Sequence, residues 1–307
     1  MLSIIKKKEH YTFGDIVFYI ITYLVFGVLT IACIYPFYFL IINTLTANEI
    51  SSKMAVLVLP QKIHFDNYVK ILKLNGLTDA LFISVARTII GTTLTVFASA
   101  FLGYLFTKKE MWGRKFWYRF VIVTMYFNAG LIPWFITMLN LGLRNNFLAY
   151  ILPAIVAPFN VILVKTYIES TPQALQEAAQ IDGAGYFTIF TKVVWPLCVP
   201  ILATVAIFAA VGQWNSFTDT LLLMTDSHLY TLQFILYRYL NQASSLASIM
   251  RNSGSGIGQS VSSIASSQTA QSVRMTVSVV VILPILFVYP FFQRFFVGGI
   301  IIGAVKG

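Results

Sequence analysis

Residues 169–200 read ESTPQALQEAAQIDGAGYFTIFTKVVWPLCVP. The stretch is too polar to cross a bilayer, yet it is rich in the good helix formers Ala, Leu, Gln and Glu. Two short helices at a membrane surface are expected. Thr171 is a suitable N-cap with Pro172 at the first helical position, and Gly183 and Gly185 supply the backbone freedom to end that helix and turn. Leu175, Ala178 and Ala179 then share one face, with Glu177 beside it. Small alanines permit close approach and a carboxylate can meet an arginine, so such a helix suits a groove on a partner protein. The same residues also fit an ordinary solvated helix at a membrane surface, where short Ala-rich amphipathic segments are common.

The segments on either side decide where this stretch lies. Apolar runs long enough to cross about 30 Å of hydrocarbon, at roughly 1.5 Å per residue, occur around 16–42, 81–106, 119–139, 147–168, 197–223 and 275–297. The chain has 307 residues, 58% hydrophobic and 10% charged, where a soluble domain carries about 25% charged residues. So much apolar surface needs lipid, and the fold class is all-α integral membrane with six transmembrane helices. Pro133 is expected to break the third span, and Pro153 and Pro158 the fourth; a membrane helix tolerates this where neighbours or cavity water satisfy the freed carbonyls.

Charge sets the orientation. Lys6, Lys7 and Lys8 precede the first span, whose apolar stretch is too long for a signal peptide and lacks a small-residue cleavage site. The 107–119 connection carries Lys108, Lys109, Arg114, Lys115 and Arg119, so the positive-inside rule places it and both termini in the cytoplasm. The 43–80 segment, with Lys53, Lys62, Lys70 and Lys73, falls outside against the trend of that rule. The net charge of +10 is spread between apolar spans, where it anchors lipid headgroups; it forms no patch among stacking aromatics, so no nucleic-acid partner is expected.

Within the second span Gly91, Thr95, Ser99 and Gly103 recur every four residues and stack small side chains for close helix packing. Arg87, near the outer start of that span, is expected to snorkel to the interface. Cys33 and Cys198 read as small buried hydrophobes, and His10, His64 and His228 lie in three different connections, so neither a disulfide nor a metal site is expected. Residues 241–272 are rich in Ser, Gly and Gln and read as a mobile external loop; the glycines there follow no strand and make no phosphate loop.

Returning to the opening stretch, Glu177-Ala178-Ala179, three residues, Gly183, nine residues, then Val193-Val194-Trp195-Pro196 resembles the EAA signature of ABC importer permeases. Trp195 stands where that signature has leucine. The IDGA run 181–184 and the closing Gly303-Ala304-Val305-Lys306-Gly307 resemble the maltose-type carbohydrate-uptake permeases. The MYFNAGLIP run from Met125 and the LPILFVYPFFQRFFVGG run from Leu283 look like the oligosaccharide branch of that family, which works with lipoprotein receptors.

The resemblance implies a cytoplasmic N-terminal tail (1–15), a permease domain (16–297) with a coupling loop (169–195) and an external loop (225–274), and a cytoplasmic C-terminal tail (298–307) reaching toward the ATPase. Glu177, Ala178, Ala179, Asp182, Gly183 and Pro196 are then the ATPase-coupling residues. It further implies a bacterial cytoplasmic membrane location, a sister permease subunit, two ATPase subunits and an extracellular solute-binding lipoprotein. No Gly-x-x-x-x-Gly-Lys-Ser/Thr occurs in the sequence, so the chain binds no cofactor of its own and is no enzyme; ATP and Mg belong to the partner ATPase.

Sugars present hydroxyls and apolar C–H faces, so their path wants amides or carboxylates beside aromatic rings. Gly212, Asn215, Ser216 and Asp219 are expected along one face of span five, with Trp214 adjacent, and Asn128 beside Tyr126 in span three. Counting along the helix, however, puts Asp219 near the outer interface, where an exposed aspartate costs little and Trp214 serves as belt. Two other classes compete. An ion-coupled secondary transporter would want inverted repeats and carboxylates at the midplane, and a membrane enzyme would want clustered His, Asp or Glu at one face. An importer for another solute class such as peptide keeps the architecture and changes the cargo.

Overall fold

The computed structural model describes residues 12–51, 58–72, 76–241 and 270–299, and every regular element among them is helical. Helix α1 (Phe13–Leu45) is apolar along its whole length and leaves Phe18, Ile20, Leu24 and Phe26 exposed, burying only Ile42, Asn43 and Thr44 near its end. A bare apolar face of this kind is what lipid covers. Two small helices, α2 (Asn48–Ser51) and α3 (Asp66–Leu72), lead to α4 (Leu77–Leu105), the central strut. Both α1 and α4 are individually long and apolar enough to cross a bilayer.

The predicted third span is two helices, α5 (Arg114–Tyr126) and α6 (Leu131–Asn140). The break is not at Pro133. That proline sits in the first turn of α6, where a missing N–H leaves no intrahelical bond unmade. The chain unwinds instead at 127–130 and restarts after Gly130, whose φ of 90° continues no right-handed helix. The fourth apolar run is broken as expected: 3₁₀ turns Phe147–Tyr150 and Leu152–Ala154 meet α7 (Pro158–Ser170) at 45°.

The stretch 169–200 forms α8 (Ala174–Ile181), α9 (Tyr186–Ile189), a π-helical turn Phe190–Val194 and α10 (Trp195–Leu197). The helix starts later than the sequence suggests, because Thr171 caps the C-terminus of α7 and its hydroxyl bonds back to Ile168 O at 2.7 Å. The fifth apolar run follows at an 83° bend as α11 (Val199–Asn215) and α12 (Thr218–Leu223). Extended backbone at Ser216 separates the two, so Gly212, Asn215, Ser216 and Asp219 do not form one continuous helical face. Residues 232–241 are helical (α13) within the stretch expected as an external loop; the Ser/Gly-rich remainder, 242–269, lies outside the described residues, as do the tail segments 1–11 and 300–307. Helix α14 (Ala270–Gly299) overlies the sixth apolar run.

Helix α4 packs between α7 and α11, and the every-fourth-residue stripe explains how. Thr95 and Ser99 are buried, and a Cβ on Gly91 would meet Gln213 Nε2 at 2.6 Å, while one on Gly103 would meet the Lys165 backbone N at 3.1 Å. Near the C-terminal end of α4 a core forms from Ala100, Tyr104, Val164, Ile168, Phe190, Val194, Cys198 and Leu202. Cys198 is buried there as expected, whereas Cys33 lies on the exposed face of α1. Near the N-terminal end, Leu77 and Ala80 pack with Trp214, Leu232, Val277 and Val281.

Candidate functional site

Two polar constellations sit at opposite ends of α4. At the C-terminal end lies α8, closed by three backbone bonds: Asp182 N–H to Ala178 O (3.0 Å), Gly183 N–H to Gln180 O (3.1 Å) and Ala184 N–H to Ala179 O (3.0 Å). This is a Schellman closure, and it requires the left-handed backbone that Gly183 adopts at φ 80°. Gln176 is the buried residue of α8, and Ala179 and Ala184 pack partly against the core behind it. The opposite face is open: Glu177, Ala178 and Asp182 are exposed, Leu175 is 47% exposed and Ile181 87%. Leu175 and Ala178 thus share the outer face as expected, whereas Ala179 turns inward.

Pro196 is exposed in α10, just before the 83° bend, and beside it Trp195 packs edge-on to Phe190 at 5.8 Å and against Phe97 at 6.3 Å. The π-helical turn brings Phe190 and Val194 into the core, the kind of local irregularity that recurs at functional sites. Sequence reasoning therefore located this face and its turn but missed Gln176 and its partner Lys108, whose ammonium donates to Gln176 Oε1 at 2.8 Å.

At the other end, Arg87 does not snorkel. It is 2% exposed and its guanidinium donates to Gln213 Oε1 (3.1 and 3.0 Å), Ser216 O (3.3 Å) and both carboxylate oxygens of Asp219 (3.3 and 2.6 Å). These five contacts match the five N–H donors of an arginine. Ser216 O belongs to the break between α11 and α12, so Arg87 holds a carbonyl that the interrupted helix releases. Asp219 also accepts from Ser216 Oγ (3.2 Å) and Thr220 N–H (2.9 Å). The guanidinium lies 4.4 Å from the Tyr150 ring centroid, Gln213 Nε2 donates to Tyr150 O (3.2 Å), and Tyr150 Oη donates to Leu229 O (2.6 Å). The expected exposed aspartate is therefore the half-buried partner of a buried arginine. A signal was available: one arginine and one aspartate inside apolar spans are each costly alone and cheaper together.

A cavity of about 420 Å³ opens beside this hub, lined among others by Trp134, Asn160, Phe208, Gly212, Gln213 and Asp219. Asn160, missed at the sequence level, is 6% exposed and sits two residues past the proline that starts α7. Trp214 is not among the lining residues and is no interfacial belt: it is 7% exposed and its indole N–H donates to Val281 O at 3.1 Å, fastening α11 to α14. Asn215, exposed at the end of α11, accepts from Gln233 Nε2 at 3.1 Å. Asn128 lines a second cavity of about 600 Å³ at the α5–α6 break, bordered also by Trp134, and its carboxamide oxygen accepts from Gly130 N–H at 2.9 Å. Tyr126 is 79% exposed beside it. The structure thus brings Gly212, Ser216 and Asp219 to one cavity and leaves Tyr126, Asn128, Trp214 and Asn215 out of its lining.

Near the hub the exposed His228 bonds Asp79 Oδ2 at 2.8 Å, which pushes the imidazole above its ordinary pKa. Among the described residues no group of three or more His, Cys, Asp or Glu could hold a metal ion.

A family model described as "Binding-protein-dependent transport system inner membrane component" matches residues 95–302. The chain is 34% identical over 288 residues to the polygalacturonan/rhamnogalacturonan transport system permease protein YtcP of Bacillus subtilis (strain 168), covering 92% of this chain and 97% of that protein. It is 31% identical to protein LplC of the same organism, with 97% and 98% covered. It is 26% identical to the maltodextrin transport system permease protein MalD of Streptococcus pneumoniae, with 94% and 95% covered. A solved structure of a bacterial ABC transporter that imports the acidic polysaccharide alginate contains a chain of the same fold, with TM-score 0.80 and 26% identity, covering 93% of this chain and 99% of that one.

Proposed function

Because this chain belongs to the family of binding-protein-dependent transport system inner membrane components, we propose that it is the permease subunit of an ATP-driven importer. On this reading it forms half of a translocation pathway for an oligosaccharide. The carbohydrate assignment is drawn from the relatives, whose names specify polygalacturonan or rhamnogalacturonan and maltodextrin. The observation that carries the mechanism is the α8 face: Glu177, Ala178 and Ile181 are exposed on a short helix whose other side is locked into the core. That face suits a cleft on a separate ATPase, with Glu177 meeting a basic residue there.

The full proposal has six spans with both termini in the cytoplasm, a sister permease completing the pathway, two ATPase subunits on the cytoplasmic side and a solute-binding lipoprotein outside. ATP binding closes the ATPase dimer, draws the coupling helices together and opens the pathway outward; hydrolysis resets it. The cavity beside Arg87 and Asp219 is our candidate for the part of the pathway this subunit lines. Its aromatic walls at Trp134 and Phe208 and its amide at Asn160 offer the stacking surface and hydrogen bonds that sugars use. The guanidinium of Arg87 is already consumed by Asp219 and Gln213, so the pair presents no net charge to cargo.

Reconstitution tests this. Proteoliposomes holding the chain with its sister, ATPase and receptor should accumulate labelled oligosaccharide only with ATP on the ATPase side. Uptake by the purified chain alone in response to an ion gradient would replace the proposal with a secondary transporter.

A further inference from the structure

The α8 face can pass on movement only if α8 is held at a fixed angle, and the structure shows contacts that hold it. The chain leaves α4 through Phe106 and Thr107, and the next residue, the half-buried Lys108, folds back over the Tyr104 ring with its ammonium 4.7 Å from the centroid. From there Lys108 Nζ donates to Gln176 Oε1 at 2.8 Å. Gln176 is 9% exposed, on the side of α8 away from Glu177, Ala178 and Ile181. Tyr104, 1% exposed, sends its hydroxyl to Tyr186 O at 3.1 Å, the first residue of α9, and packs on Phe190 at 5.4 Å between ring centroids. Both short helices are thereby tied to the last turn of α4. Burial pushes the Lys108 ammonium below its ordinary pKa, a cost that its ring and carboxamide contacts offset.

We infer that Lys108 and Tyr104 form a clamp that positions α8 and α9 on the end of α4, so that force applied to the docked face moves α4 rather than bending the loop. The inference rests on the docking role proposed for α8. It extends it by naming the load path: α8 through Gln176 and Lys108, α9 through Tyr104, then along α4 to Arg87, which holds the α11–α12 break beside the cavity. Lys108 acts through Gln176, without touching cargo or nucleotide.

The experiment uses the assembled complex in nanodiscs with its receptor and labelled oligosaccharide. It compares Lys108→Met, Lys108→Arg, Gln176→Met and the Lys108→Met/Gln176→Met double variant with wild type. Lys108→Met keeps an unbranched apolar side chain and removes the charged donor. ATPase co-purification should stay close to wild type, while receptor-stimulated hydrolysis and sugar moved per ATP fall roughly tenfold, the scale set by one charge-assisted hydrogen bond. Lys108→Arg should recover a large part of the loss, and the double variant should be no worse than Lys108→Met alone, because that substitution already removes the link to Gln176. Wild-type stimulation and stoichiometry in Lys108→Met would overturn the clamp. So would effects of the two single substitutions that simply add. Glu177→Lys separates the two ideas: if it leaves ATPase binding intact, the docking role fails and the clamp with it; if it abolishes binding while Lys108→Met behaves as wild type, only the clamp fails.

Discussion

The two ends of α4 solve opposite problems. Around Arg87 each donor of the guanidinium has an acceptor inside the same chain, and the ion pair with Asp219 is 2% and 14% exposed by side chain. Around α8 the chain satisfies one side through Gln176 and leaves Glu177, Ala178 and Ile181 facing outward. A polar group buried in apolar surroundings must find its partner within the fold, whereas an exposed apolar and acidic face gains most from a partner outside it. The first region serves the fold, and the second, on our proposal, is a docking face for a partner.

That contrast breaks most sharply at Asp219. Asp219→Leu leaves Arg87 buried without its counter-charge and should cost about 3–5 kcal/mol, whereas Arg87→Met combined with Asp219→Leu should cost much less. Thermal unfolding of the purified permease pair measures both, and equal losses in the single and double variants would return the hub to ordinary packing. On the α8 side, Glu177→Lys should leave the unfolding temperature of the permease nearly unchanged while weakening ATPase binding by about 2–5 kcal/mol. Co-purification with the ATPase reads that difference, and a drop in permease stability of the same size would erase the distinction between scaffold and interface.

Smaller effects sharpen it. A Cβ on Gly91 would lie 2.6 Å from Gln213 Nε2, and Gln213 is pinned by Arg87 and Tyr150. Gly91→Ala should therefore cost about 1–3 kcal/mol through overpacking, with ATPase affinity retained. The smallest effect concerns the exposed pair of His228 and Asp79, which joins the 224–231 connection to the start of α4. Its folded imidazole pKa is raised by the Asp79 carboxylate, so the pair stabilises fully below the ordinary histidine value, about 6.5, and the contribution fades as pH rises through the raised value. Asp79→Asn should remove that pH dependence of the unfolding temperature and leave wild type and variant converging at alkaline pH.

How much of this was legible depended on which interactions stayed local. The turn after α8 could be read from Gly183 because a glycine just past a run of good helix formers has few other reasons to be there, and its φ of 80° bears the reading out. The break in the third apolar run was placed less well, and the one in the fifth was not foreseen. Pro133 drew the third break toward itself although a proline in the first turn of a helix disturbs nothing, whereas the chain unwinds at 127–130 and restarts after Gly130 at φ 90°. Arg87 and Asp219 are separated by 132 positions, and each looked interfacial when weighed alone; only the packing of α4 against α11 reveals a pair. Trp214 misled for the same reason, since its partner is the Val281 carbonyl of α14. Short-range backbone chemistry is written in neighbouring residues, whereas the pairing of distant buried polar groups is written in topology.

The docking of α8 can be tested at Ala178, exposed and small beside Glu177. With Cys33 and Cys198 replaced, a single Ala178→Cys in the assembled complex should form a crosslink to the ATPase subunit that changes in yield when ATP binds. It should also be shielded from maleimide only while the ATPase is present. Full maleimide labelling in an active, ATP-hydrolysing complex, with no crosslink to the ATPase, would contradict the placement of α8 in the ATPase cleft.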